Sequence, residues 1–389
     1  MSPFVLLTCD NVVVMSATLN SATESTGSTP INTTSPADGP AEGPVTVDPA
    51  VENNVDNESE AETVSILSTS TASLTESITE YRRLHGRTYT RKVDYWAPND
   101  ERQNEGLDIN HYWMTLFLGD KLFLAPIRND SQVSSPTVKN CKKVGYSIFR
   151  QTVLDVGTGT GLWAIDFADE FPSAEVIGVD VSPIQPTWVP PNCKFQIDDI
   201  EQSWTWPAEH FDFIHIRNLE GCIADWRALY EQAFECIKPG GYIEIKEFDI
   251  ESRSQVQTLD DKHPFKTWPK YLLQACDKLG KVGLQCRDHG IARNLDALGF
   301  VDVVEKKWAI PIGAWANDPI LKEVGTSSLE YLDQSLEGFG TFLLKEMLGW
   351  EYSEVLVFVS EFRKALKDYK MQPVFDLHLV YARKPEAAH

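Results

Sequence analysis

A short apolar run that ends in three glycines at alternate positions, Gly157, Gly159 and Gly161, constrains this chain more than any other feature of its sequence. A segment with helical periodicity follows, and a second apolar run ends in Asp180, about twenty residues beyond the middle glycine. A strand, a glycine turn, a helix and a second strand that ends in an acid make up the nucleotide-binding half of a doubly wound sheet. The pattern therefore predicts an α/β fold and an enzyme with an adenosine-containing cofactor.

The spacing of the glycines indicates which kind of cofactor the turn holds. Glycine lets the backbone turn tightly and approach a ligand without a Cβ clash. A dinucleotide-binding loop usually has the spacing GxGxxG, because it must cradle a pyrophosphate, whereas this chain has GxGxG. The spacing favours a cofactor without phosphates, and we expect Asp180 to accept hydrogen bonds from both of its ribose hydroxyls. A tight turn that binds nothing is the weaker interpretation, since the acid lies at the right distance.

A second acidic candidate follows the third predicted strand. Asp198 and Asp199 come directly after that strand, and Ile200 is the next residue. A carboxylate in this place reaches an adenine amino group, and an isoleucine packs on the base. We assign the first role to Asp199, in preference to Asp198, and the second to Ile200. A solvated acidic turn is the alternative interpretation.

The charge of the chain argues against one class of partner. The formal net charge is −22 over 389 residues; residues 1–80 contain twelve acids and no lysine or arginine, which leaves about −10 for the rest. An acidic body repels phosphate backbones. Direct nucleic-acid binding is therefore disfavoured, although a local basic patch is compatible with these totals.

The cysteine and hydropathy patterns predict the environment of the protein. The seven cysteines are scattered, with no CxxC or Cys/His cluster, so we predict reduced thiols and no metal site. No apolar run approaches the roughly 18 residues that span a bilayer, and the N-terminus lacks the basic region of a secretory signal. We expect an intracellular protein of the cytoplasm or nucleus that does not bind membranes.

Composition divides the chain into five segments. Residues 1–72 are rich in Ser, Thr, Pro, Asn and acids and cannot bury enough apolar surface to offset chain entropy, so they are predicted to be a disordered tail. Residues 73–127 are predicted to form a helical cap, and the polar, aperiodic residues 128–150 an inserted loop. A cofactor-binding core (151–250) and a substrate-covering segment with the final strands (251–386) follow.

Strands and helices alternate after residue 151, which is typical of a parallel sheet with helices on both faces. The predicted strands are 152–156, 175–180, 193–197, 211–216, 240–247, 300–308 and 375–381. The predicted helices are 161–171, 225–237, 288–298, 316–335 and 352–369. The cap adds two helices, one that begins at Ser73 and includes Tyr81, and one over 105–118.

Taken together, the motifs resemble the successive motifs of class I S-adenosylmethionine-dependent methyltransferases; these are residues 154–161, 180, 199–200, 211–215 and 237–242. A narrower set resembles the fungal LaeA-like methyltransferases: residues 163–166, 182–186, 188–192 and 246–249, with 81, 86–89 and 98–100 in the N-terminal segment. The resemblance covers roughly residues 74–127 and 151–383. The insert 128–150 departs from the family pattern, in which the first strand follows almost directly.

The resemblance implies a Rossmann-like, seven-stranded sheet whose last strand is antiparallel, with S-adenosylmethionine as cofactor, and a fungal origin. The residues that it assigns to the cofactor site are Asp155, Gly157, Thr158, Gly159, Gly161, Asp180, Asp199, Ile200, Arg217 and Tyr89. The ring face of Tyr89 is expected to close over the sulfonium, with a packing role as an equal alternative.

Methyl transfer from a sulfonium is an in-line displacement with a good leaving group, so alignment supplies most of the acceleration. A base is needed only if the acceptor carries a proton at the reactive stage. His215, in the fourth strand, and Glu247, at the end of the fifth, are the candidate catalytic residues. For both, a structural role in the core is the stronger alternative.

Three functions follow from these patterns. The first is methylation of a small molecule of fungal secondary metabolism, with an acceptor pocket supplied by residues 251–370. The second is a LaeA-like nuclear regulator that works with velvet-type protein partners. The third, a nicotinamide-dependent oxidoreductase, is disfavoured by the GxGxG spacing and by the antiparallel end of the predicted sheet.

Overall fold

A sheet of eight strands organises the described part of the chain, which comprises residues 43, 45–46, 81–91, 93–127 and 151–386 of a computed structural model. A two-stranded hairpin, β1 (Arg82–Leu84) and β2 (Arg87–Tyr89), precedes it. The strands of the sheet are β3 (Thr152–Val156), β4 (Glu175–Asp180), β5 (Cys193–Ile197), β6 (Phe211–Arg217), β7 (Ile237–Phe248), β8 (Arg253–Ser254), β9 (Val301–Pro311) and β10 (Pro373–Arg383).

The order of the long strands is β5–β4–β3–β6–β7–β10–β9. The first five are mutually parallel, and β10 runs antiparallel to β7 and β9. The short β8 pairs with the first residues of β10. The predicted seven-stranded sheet with an antiparallel last strand is therefore confirmed. The ends of β3, β4 and β5 also agree with the sequence, whereas β7 begins three residues earlier and β9 continues three residues further.

Seven α-helices flank the sheet in the described residues: α1 (Glu101–Phe117), α2 (Leu162–Glu170), α3 (Trp226–Cys236), α4 (Pro264–Leu279), α5 (Gly290–Ala297), α6 (Pro319–Gly340) and α7 (Tyr352–Leu366). A π-helical turn, Thr341–Met347, continues α6. The sequence did not single out α4, whose interior Pro269 interrupts the helical pattern. None of these helices is long and apolar enough to cross a membrane.

Alternation along the strands divides the core between the two faces of the sheet. On one face, Leu154 and Ile214 pack with α3 and α5. On the other face, Val153 and Phe213 pack with Trp163 and the rest of α2. A separate cluster joins α1, α4, α6 and α7 to β9 and β10. The substrate-covering segment is thus built onto the antiparallel end of the sheet.

The cap begins as a hairpin. Tyr81 lies outside any helix, and residues 73–80 fall outside the described part of the chain. Arg87 donates to both carboxylate oxygens of Asp100 at 2.7 and 2.9 Å, and Asp100 also caps α1 by accepting from the amide of Gln103 at 3.1 Å. This N-cap explains why α1 begins at Glu101, four residues earlier than predicted. The insert 128–150 lies outside the described residues.

Part of the predicted tail packs against the folded body. Val45 is buried against Trp315 and Val374, and the carbonyl of Thr46 accepts from the amide of Asn317 at 2.7 Å. The prediction of disorder over 1–72 is therefore wrong at these positions, because the apolar Val45 side chain finds an apolar site on the folded body. Apart from Gly43, Val45 and Thr46, the tail lies outside the described residues.

A buried ion pair fastens the segment after α1 to the sheet. Glu244 accepts from the amides of Leu124 and Ala125, both at 2.7 Å, and lies 3.5 Å from the ammonium of Lys246. Lys246 in turn donates to the carbonyl of Leu122 at 2.5 Å. Both side chains are almost fully buried, so each depends on the other for its compensating charge.

We expect Glu244→Ala to lower the free energy of unfolding by about 3–5 kcal/mol, because it leaves Lys246 charged and unpaired in the core. Glu231→Ala is the matched control, since Glu231 pairs with Arg227 on an exposed helix surface and should cost less than about 1 kcal/mol. Urea unfolding of both variants measures the difference. Equal costs would show that the Glu244 pair does not hold the cap in place.

Candidate cofactor site and adjoining cavity

The glycine loop between β3 and α2 has the backbone shape that only glycine adopts readily. Gly157, Gly159 and Gly161 have φ values of 70°, 59° and 85°. A Cβ on Gly161 would lie 2.3 Å from the ring of Phe195, and one on Gly157 would lie 2.6 Å from Leu219. Both conformation and space therefore require glycine at these positions.

A buried carboxylate supports this loop from beneath. Asp155 accepts from the hydroxyl of Thr158 at 2.6 Å and lies 2.7 Å from Nδ1 of His215. The His215 ring stacks on Trp163 with the centroids 3.8 Å apart. The amides of Gly157 and Thr158 both donate to the carbonyl of Val179 at 2.9 Å. These contacts fix the backbone of the glycine loop.

The positions of Asp155 and His215 correct two expectations. Both side chains are fully buried on the α2 face of the sheet, and neither belongs to a cavity wall. Burial lowers the pKa of His215 to about 3, with a further contribution from the charge of Lys246. His215 therefore lines neither cavity, and Asp155 contacts the glycine loop rather than the cavity in front of it.

Asp180 lies at the end of β4, directly beside the loop. Its Oδ2 accepts from the amide of Gly159 at 2.8 Å, and its Oδ1 accepts from the amide of Ser182 at 2.9 Å. Burial raises its pKa to about 6, although these hydrogen bonds lower it. Each oxygen keeps a lone pair for one further donor, so the carboxylate suits a pair of ribose hydroxyls.

A cavity opens in front of the loop. Gly157, Thr158, Gly159 and Asp180 form one wall of it. The other predicted residues that line it are Asp199, Ile200 and Arg217, while Gly161 lies behind the loop against Phe195.

The far end of this cavity suits a purine. Ile200 is buried and offers an apolar face, whereas the Asp199 carboxylate is only half-buried. Asp199 accepts from the amide of Glu201 at 3.0 Å and from the side chain of Gln202 at 3.1 Å, which holds it at the cavity edge. The residues present therefore fit an adenosine without phosphates.

Two parts of the wall were not predicted. Leu107 and Asn110 reach the cavity from α1, and Val93, Asp94 and Tyr95 reach it from the segment before α1. The sequence predicted this helix as part of a cap, a lid or a layer over the core, but its apolar pattern did not indicate which of its residues line the cavity. The tertiary packing of the cap supplies this wall.

A second cavity adjoins the first. Four residues line both: Tyr95, Leu107, Asn218 and Cys222. The rest of its wall is mainly apolar and aromatic, with contributions from Trp96, Trp268, Leu272, Tyr331, Leu332, Leu336, Phe339, Phe362 and Phe375. It lies under the substrate-covering helices, where the sequence predicted an acceptor pocket.

Three carboxyl groups line this second cavity, those of Glu220, Glu247 and Asp249. Glu247 accepts from the amides of Leu219 and Glu220 at 2.9 and 3.0 Å, which shapes the turn after β6. Burial raises the pKa of Glu247 to about 8, and burial beside Glu247 raises that of Glu220 to about 9. Burial thus favours the protonated form of both groups. A catalytic role for Glu247 stays a prediction.

Tyr89 does not reach either cavity. Its side chain is fully buried, its hydroxyl donates to the carbonyl of Gly338 at 2.8 Å, and its ring packs against Phe342. The expectation that it closes over the sulfonium is therefore corrected. Its contacts attach the hairpin to the end of α6, which is the packing alternative.

Comparisons with known proteins agree with this geometry. The model of a family described as "Methyltransferase domain" matches residues 81–301. Methyltransferase pytC of Aspergillus terreus is 33% identical over 308 residues, which cover 78% of this chain and 88% of that protein. Secondary metabolism regulator LAE1 of Cochliobolus heterostrophus is 31% identical over 75% of this chain and 90% of its own length.

Among solved structures, phosphoethanolamine N-methyltransferase 2 of Haemonchus contortus, in complex with phosphomonomethylethanolamine and S-adenosylhomocysteine, is 19% identical with a TM-score of 0.40. The match covers 77% of this chain and 62% of that chain, so this protein spans less than two thirds of its length. The family match and the two fungal relatives cover most of the folded body. The chain therefore belongs to the methyltransferase-domain family and, within it, to the fungal group that includes methyltransferase pytC and the regulator LAE1.

Proposed function

We propose that this S-adenosylmethionine-dependent methyltransferase methylates a small, largely apolar molecule that occupies the second cavity. The observation that carries the proposal is the contact between the two cavities. Tyr95, Leu107, Asn218 and Cys222 line both, so a ligand in one cavity lies against a ligand in the other. This arrangement suits a direct transfer between two bound molecules.

The side chains where the two cavities meet align the two bound molecules with each other. S-Adenosylmethionine, when bound, supplies an electrophilic methyl group. The glycine loop and Asp180 hold the adenosine end, while Asn218 stands where β6 ends, between the two cavities, with a φ of 56°. Holding two reactants in line removes most of the entropic cost of their encounter.

The walls of the second cavity indicate the class of acceptor. Aromatic and aliphatic side chains favour a flat or branched apolar scaffold. Glu220 lines the cavity, and its buried Oε2 has no hydrogen-bond partner among the described residues; the same holds for Oδ1 of Asn218. Buried polar atoms of this kind gain from a partner, so an acceptor with a hydroxyl or amino group on an apolar scaffold fits best. The relatives named secondary metabolism regulators support a place in fungal secondary metabolism.

A regulatory function is the second candidate. The relatives named secondary metabolism regulators, LAE1 and laeA of Aspergillus flavus, cover 75% and 77% of this chain. In this hypothesis the protein acts in the nucleus with velvet-type partners, and the acidic tail contributes to partner contacts. Deletion of the gene separates the two candidates, because a regulator changes the output of several metabolites and a biosynthetic enzyme changes one product series.

Asp180→Ala should weaken binding of S-adenosylhomocysteine by roughly 1.5–3 kcal/mol for each charged hydrogen bond that is lost. Asp169→Ala, on the exposed side of α2, is the matched control and should bind normally. Because an ionised Asp180 is the better acceptor, affinity should fall as pH decreases through about 6. Calorimetric titration measures both effects, and normal binding by the Asp180 variant would refute the ribose assignment.

Leu332→Trp should block methyl transfer while leaving cofactor binding intact, because Leu332 lines only the second cavity. Glu330→Trp is the control for the added indole, because Glu330 lies two residues away on the exposed side of α6. The measurement is transfer of labelled methyl from S-adenosylmethionine into small molecules of an extract from the source organism. Equal transfer by wild type and Leu332→Trp would exclude the second cavity as the acceptor site.

A further inference from the structure

A chain of three side chains joins the cofactor cavity to the surface through α1. Nη1 of Arg217, at the end of β6, lies 2.9 Å from Nδ1 of His111 on α1. Nε2 of His111 lies 2.9 Å from Oδ2 of Asp166 on α2. Arg217 lines the cofactor cavity, His111 is buried, and Asp166 is half exposed. The chain therefore connects three elements that meet around the cofactor.

The chemistry of the partners determines the protonation of His111. An arginine side chain only donates hydrogen bonds and stays charged. Nδ1 of His111 must therefore accept the bond from Arg217, and the proton of the neutral ring lies on Nε2, which donates to Asp166. A doubly protonated ring has no acceptor nitrogen. Its Nδ1–H would point at an N–H group of Arg217, and both side chains would be positively charged.

We infer that His111 is a positioning residue that holds Arg217 in the wall of the cofactor cavity and keeps α1 closed over the bound cofactor. This inference rests on the proposed function, since it concerns the same cofactor site. It goes beyond that function by assigning the capture of the cofactor to a neutral histidine in the cap.

The arrangement makes cofactor binding sensitive to acid. The charged groups that face His111 are Asp166 on α2, Arg217 on β6 and Lys246 on β7. Burial lowers the pKa of His111 most, Arg217 and Lys246 lower it further, and Asp166 raises it. The ring is therefore neutral at physiological pH. As pH falls through its pKa, the ring gains a proton, loses the bond from Arg217, and the cap is released.

The test is calorimetric titration of the full chain with S-adenosylhomocysteine between pH 8 and pH 5. His111→Leu removes both hydrogen bonds. His111→Asn keeps an acceptor near the position of Nδ1 but does not titrate. Tyr112→Phe, on the same helix, removes only a surface hydrogen bond to Glu323. Thermal unfolding of each variant verifies that it is folded.

At pH 8 we expect His111→Leu to weaken binding about tenfold or more, His111→Asn to weaken it less, and Tyr112→Phe to leave it unchanged. At acid pH log Kd should depend more steeply on pH in wild type, where both Asp180 and His111 take up a proton, than in His111→Asn, where only Asp180 does. Asp166→Asn should move the steep part of the curve to lower pH, since it removes the charge that raises the His111 pKa.

Wild-type affinity in a folded His111→Leu variant would overturn the inference. So would a His111→Asn variant whose pH slope equals that of wild type, because His111 would then serve only as packing. If His111→Leu does not fold, the slopes of log Kd against pH for His111→Asn and Asp166→Asn decide between the inference and a packing role. Absence of binding by wild type at pH 8 would instead refute the cofactor site itself, which keeps the two failures distinct.

Discussion

The buried carboxylate of Asp155 is the contact on which the cofactor site depends. It lies on the α2 face of β3, where it binds the Thr158 hydroxyl and the His215 ring. Despite its burial, its pKa is lowered, because His215, Arg217 and Thr158 favour its charged form. A charge in this place is tolerated only because every oxygen has a donor. Asp155 fixes the first residues of the glycine loop. The loop in turn forms one wall of the cofactor cavity.

Several other buried acids serve the backbone in the same way. Glu244 binds two amides before the insert, Glu247 binds two amides after β6, and Asp180 binds one amide of the glycine loop and another beyond β4. Each carboxylate replaces hydrogen bonds that irregular backbone would otherwise make with water. The ligand edge of this sheet is thus built from loops that are held by acids, which explains why an acidic protein can place so much non-regular backbone around a site.

The cap and the helices of residues 251–370 together enclose the two cavities. α1 covers the cofactor cavity, and α4, α6 and α7 surround the second cavity with apolar side chains. Tyr95 and Leu107 belong to the cap yet line both cavities. The cap therefore covers the cofactor cavity and also contributes to the wall between the two cavities.

The sequence by itself determined the sheet, the glycine loop and the acid at the end of β4. These features follow from local rules: apolar periodicity defines strands, a positive φ requires glycine, and residues at the carboxyl ends of parallel strands meet at one edge. Which polar residues line a cavity is, by contrast, a result of tertiary packing. His215 and Tyr89 lie in the core, Asp155 lies beneath the loop, and Glu220 and His111 gain their positions from distant segments. The reason is that the direction and partners of a side chain depend on long-range packing, which the order of residues along one strand or helix does not contain.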